Sequence, residues 1–86
     1  MKWSTVREHY PEKWVLVEAI EASSLNSRRI IEEMSVMSDF PDSRQAWTEY
    51  KKFHLAEPDR EFYIFFTGNE SIEVIEQPFL GFRGKP

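Results

Sequence analysis

From Lys13 to Ala22 the chain reads Lys-Trp-Val-Leu-Val-Glu-Ala-Ile-Glu-Ala, with apolar residues on both alternating sets. Trp14, Leu16 and Ile20 fall on one, Val15, Val17 and Ala19 on the other. Side chains alternate between the faces of a strand, so this segment predicts a β-strand in the middle of a sheet, covered above and below. Ser23-Ser24-Leu25-Asn26-Ser27 follows as a polar piece of hairpin-loop length, where the chain should reverse. Residues 29–37 then supply a second strand. A helix competes there, because Ile30, Ile31, Met34 and Met37 also fit a 3.6-residue period and Arg28, Arg29, Glu32 and Glu33 offer i,i+4 pairs. The hairpin-length loop before this segment and the short distance to the next helix start favour the strand.

That helix start is marked by Asp42 followed three residues later by Gln45, a capping-box pattern preceded by Pro41. Ala46, Trp47, Tyr50, Phe53 and His54 place one apolar face at helical spacing, and Arg44, Glu49, Lys51 and Lys52 occupy the opposite face. The helix should span 43–56 and stop before Pro58, which disfavours helical geometry in Glu57. A shorter helix is expected at the start, where Trp3, Val6 and Tyr10 share a face, Ser4 or Thr5 could cap, and Pro11 ends the run. A third strand is expected over 60–67, with Phe62, Ile64 and Phe66 on one side and Tyr63 and Phe65 on the other. Gly68-Asn69 fits a type II′ turn, and 71–76 should return as a fourth strand whose acidic positions suit an edge. The segment 78–86 is apolar enough to dock, with too much Gly and Pro for a firm strand.

A strand, helix and strand in sequence bring the third strand parallel to the second and antiparallel to the first. These elements predict a single α+β domain over residues 1–86. Its four-stranded, mainly antiparallel sheet takes the favoured order 2-1-3-4, with one main helix on one face and a short N-terminal helix. The order 1-2-3-4 is the alternative. The second face must be closed by Trp3, Val6, Tyr10, Phe79, Leu80 and Phe82 of the same chain, or by a second copy meeting it about a two-fold axis. The aromatics Trp14, Tyr63, Phe65, Phe79 and Phe82 are the candidate interaction surface.

Composition narrows the chemistry. With 86 residues and no cysteine, the chain can form no disulfide, thiolate metal site or cysteine nucleophile. The net charge of −4, with basic residues gathered only at Arg28-Arg29 and Lys51-Lys52, disfavours nucleic acid as a partner. Residues 1–9 have no signal-like apolar run and no stretch reaches membrane-spanning length, so a cytoplasmic protein with no membrane partner is expected. His9 and His54 are the sole imidazoles, neither tied by any motif to a serine, and two isolated histidines do not make a metal site. Glu18, Glu21, Glu32, Glu33, Glu73 and Glu76 read as solvated charges or as cross-strand partners of Arg28 and Arg29. With glycine only at 68, 81 and 84, no phosphate cradle is present. No catalytic, metal or cofactor-binding residue is assigned and no cofactor is expected.

His9-Tyr10-Pro11-Glu12-Lys13-Trp14-Val15 resembles the opening of small bacterial domains of unknown function that carry a Tyr-Pro-Gly-Lys-Trp-Val-like motif at their first strand. The similarity extends to an Asp-Ser-x-x-Ala-Trp-like helix start at Asp42, Ser43, Ala46 and Trp47, and to the Arg60-Glu61-Phe62-Tyr63 strand. Glu12 stands where that motif has glycine. The resemblance implies a small bacterial α+β domain and supplies no catalytic residues. The expected function is a non-enzymatic protein-interaction or regulatory module that self-associates, as a homodimer, or binds another protein. The alternative is a domain for a small ligand or nucleic acid that uses Trp14, Tyr63 and Phe65 on the sheet.

Overall fold

A computed structural model describes residues 1–75. The expectations for 76–86, including those for Phe79, Leu80 and Phe82, lie outside the described residues. Helix α1 spans Trp3–His9, β1 Trp14–Leu25, β2 Arg28–Phe40, α2 Ser43–Ala56, β3 Phe62–Phe66 and β4 Val74–Ile75. The strands form one antiparallel sheet with β1 between β2 and β3. The α+β class and the central position of β1 are as the hydrophobic pattern requires.

Segment 29–37 is a strand, and it runs longer than expected. In place of an open loop over 23–27, the hairpin closes on Asn26 and Ser27, both left-handed at φ 52° and 64°. A two-residue turn with both residues at positive φ matches the twist of the flanking strands, so pairing continues to Leu25 opposite Arg28. Three register shifts bend this ribbon and leave an extra residue at Met37, Ile20 and Glu32. Ile20 leaves its expected alternation for this reason and is 61% exposed.

Both faces of β1 are covered. Leu16 packs with Phe40, Ala46 and Phe62 beneath α2, flanked by Trp14, Tyr50, Phe53 and Ile64. Val15 and Val17 pack with Met34 and Val6 beneath α1, flanked by Trp3, Tyr10, Tyr63, Phe65 and Ile72. Of the six residues expected to close the second face, Trp3, Val6 and Tyr10 pack on it, with Ile72 added.

Ile72 gets there because β4 takes the edge beside β2, so the order is β3-β1-β2-β4. The expected hairpin return beside β3 does not form. Gly68 lies outside the positive-φ region a II′ turn would need at that position. What glycine provides there is room, since a Cβ would run into the Phe66 ring. The chain instead crosses the α1 face, held by the Trp3 indole donating to the Asn69 carbonyl at 3.2 Å and by Arg28 paired with Glu73 at 3.0 Å. Burying Ile72 over the Val6 cluster takes the place of a hairpin.

The helix starts differ in kind. At α2 the Asp42 carboxylate accepts the Gln45 N–H at 2.9 Å, as the capping pattern predicts. At α1 the N-cap position is Lys2, with no side-chain cap bond, and Ser4 and Thr5 lie inside the helix. Tertiary contacts hold α1 instead. Buried Thr67 accepts the Lys13 N–H at 2.8 Å and donates its hydroxyl to the Tyr10 carbonyl at 2.5 Å, while Arg7 donates to the Thr67 carbonyl at 2.9 Å. Glu12, in the turn that Thr67 ties down, has φ 53°. It adopts the left-handed geometry that glycine would take more easily.

Candidate interaction surface

The backbone of β3 has one satisfied side and one open side. Glu61 accepts from the Ala19 N–H and Thr67 donates to the Lys13 carbonyl, both at the β1 side. Backbone groups alternate along a strand, so residues 61, 63, 65 and 67 face β1 while Phe62, Ile64 and Phe66 aim their N–H and C=O groups outward. Of these, the Phe66 carbonyl accepts from Asn69 at 3.1 Å. Among the described residues, the outward groups of Phe62 and Ile64 have no partner strand. This edge carries no charged residue, proline or bulge from Phe62 to Phe66. Those are the usual means by which an edge strand avoids pairing with another chain.

Helix α2 lies above. A groove between α2 and β2 is lined by Ser38, Phe40, Arg44, Gln45, Thr48 and Glu49, which puts the polar flank of the helix over β2. At 100° per residue, Trp47, Tyr50 and His54 fall on the opposite flank, toward β3. Their rings form a staircase. Trp47 and Tyr50 stack with centroids 5.1 Å apart and planes at 11°, and Tyr50 and His54 follow at 5.7 Å and 8°. Trp47 and His54, expected on the buried face, are exposed, and Trp47 is open to 50%. Only Ala46, Tyr50 and Phe53 of that set reach the core cluster. Four aromatic or histidine residues, Trp47, Tyr50, Phe53 and His54, crowd into one third of the helix circumference, more than the sheet below can bury.

The aromatics singled out from sequence sit deeper. Tyr63 and Phe65 stack at 5.7 Å, and Phe65 meets Trp3 edge-on at 5.6 Å beneath α1. Trp14 packs against Phe66 at 5.4 Å. Phe79 and Phe82 lie outside the described residues. The structure thus brings Tyr63 and Phe65 together under α1, while the exposed Trp47 staircase and the outer side of β3, whose residues are buried or half-buried, are the features left without a partner strand among the described residues. Alternation of Phe62, Ile64 and Phe66 was legible in the sequence. The edge position of β3 was not, because the fourth strand was expected to cover it.

Two arginine–carboxylate pairs stand beside β3. Arg29 holds Glu61 through two hydrogen bonds of 2.8 Å, and Tyr63 donates to the same carboxylate at 2.5 Å. The hydrogen bond from Arg29 holds the Glu61 carboxyl below the usual range. Burial, reinforced by the neighbouring carboxylate, pushes the Tyr63 phenol up to about 12. Arg60 grips Glu18 through two bonds, at 2.8 and 2.6 Å, and lowers that carboxyl likewise. These arginine pairs fasten β3 to β1 and β2. Among the described residues, no three potential ligands gather at a metal site and no helix is long and apolar enough to cross a membrane.

Comparison with known proteins identifies no relative: no family model, no curated protein and no solved structure matches this chain.

Proposed function

We propose that this domain is a non-enzymatic protein-interaction module of the cytoplasm that self-associates, of the kind implied by its resemblance to small bacterial α+β domains. The observation that carries this reading is the outer edge of β3, uncharged and without a partner strand among the described residues, with the exposed Trp47 on α2. Main-chain groups supply generic affinity to an added strand, and tryptophan and tyrosine supply the anchors that dominate protein interfaces. Nothing comparable supports a ligand or nucleic-acid platform, since Tyr63 and Phe65 pack against α1 and the Tyr63 hydroxyl is engaged by Glu61.

Light scattering from micromolar to millimolar concentration tests the reading. The mass should rise toward that of a dimer, and Trp47→Glu should weaken association at least about 30-fold, the effect of losing one central anchor. Its far-UV circular dichroism should not change, because Trp47 is outside the core cluster. A monomer at every concentration would overturn self-association.

A further inference from the structure

Resting on that reading, the geometry points to one particular partner and register: we infer that a second copy adds its own β3 antiparallel to this one, about a two-fold axis at Ile64. The two sheets then continue into one.

The outer edge of β3 is self-complementary. The edge reads Phe62-Tyr63-Ile64-Phe65-Phe66, two aromatic residues on each side of a central isoleucine. An axis at Ile64 sets Phe62 opposite Phe66 of the second copy on the α2 face, and Tyr63 opposite Phe65 on the α1 face. Cross-strand aromatic pairs are among the more favourable in antiparallel sheets. Ile64 is a residue whose backbone points outward, so on the axis it exchanges both N–H and C=O groups with its counterpart. Phe62 pairs with Phe66 in the same way, the Phe66 carbonyl using its second lone pair because it already accepts the Asn69 N–H. Moving the axis by one residue would place inward-facing backbone groups at the junction and lose these bonds.

Charge fits the same register. Beyond the aromatic block come Arg60 and Glu61 on one side and Thr67 and Gly68 on the other, so each charged residue meets a neutral one and no like charges oppose. Arg60 and Glu61 are already engaged by Glu18 and Arg29, which keeps their charges from the new junction. On the α2 face the axis brings the two Trp47 staircases toward each other above the joined strands. The remaining exposed large apolar side chains among the described residues, Met1, Ile20, Leu25, Ile30, Leu55 and Ile75, are spread over the N-terminus, β1, β2, α2 and β4 and form no palindromic run.

Amide hydrogen exchange by NMR on the full chain, compared between dilute and concentrated samples, tests the register. Exchange at the Phe62 and Ile64 amides should slow about tenfold or more once most chains are paired, whereas Tyr63 and Phe65, already bonded to β1, should change little. In a mixed sample of isotope-labelled and unlabelled chains, Tyr63 Hα should show a nuclear Overhauser contact to Phe65 Hα of the other copy. Trp47→Glu should restore fast exchange at Ile64. A dimer by light scattering whose Phe62 and Ile64 amides keep their monomer rates would overturn this interface and leave self-association standing; a chain that stays monomeric would overturn both.

Discussion

Replacing Ser27 with glycine should stabilise the fold. Ser27 has φ 64° in the turn that joins β1 to β2, and Asn26 precedes it at 52°. An L-residue in the left-handed region carries a penalty of roughly 1–2 kcal/mol that glycine escapes. Glycine also enlarges the unfolded ensemble, which takes back roughly 0.5–1 kcal/mol. The Asn-Gly pair preferred in such turns should therefore leave a net gain of about 0.5–1 kcal/mol. For a domain of this size that is a rise of roughly 2–8 °C in melting temperature. Ser27 is exposed and, among the described residues, its side chain joins no hydrogen bond, so the substitution reads backbone strain. Thermal and urea unfolding of wild type, Ser27→Gly and Ser27→Ala read the effect, with the urea slope expected to stay constant. Alanine should fall below glycine by about 1 kcal/mol, because it keeps the penalty. Equal stability of the alanine and glycine variants, or a loss on introducing glycine, would refute the turn geometry.

Glu12 carries the same left-handed strain, and Glu12→Gly should raise stability by about 0.5 kcal/mol or more in urea unfolding. A decrease there would mean that the α1–β1 turn is not left-handed. Thr67→Val preserves shape while stranding the Lys13 N–H and the Tyr10 carbonyl, and should cost about 1–3 kcal/mol by chemical denaturation; a neutral outcome would remove Thr67 as the link between α1 and β3. Ultraviolet titration should find one tyrosine ionising at about 12, absent in Tyr63→Phe. Because the raised value belongs to the folded state, stability is full below the unfolded phenol value of about 10 and falls as pH climbs from there toward 12. For Glu61 the sign reverses: its lowered folded value gives stability that is present above the ordinary glutamate range and is lost as pH drops through the folded value. Glu61→Gln should flatten that acid limb in urea unfolding carried out across pH 2–6.

Local patterns on their own determined the two-faced first strand, the Asp42 cap and the division of β3 into Phe62, Ile64, Phe66 against Tyr63, Phe65, because period and capping are properties of neighbours in the chain. Tertiary structure decided the rest. Whether Trp47 and His54 point inward depends on how much of the helix the sheet can cover, and the sheet covers only Ala46, Tyr50 and Phe53. Where β4 goes depends on the Val6 cluster needing Ile72, a demand that arises only once α1 has docked. Among the described residues that choice leaves the outer side of β3 without a partner strand, an arrangement set by a contact between segments more than sixty residues apart, beyond the reach of any periodicity.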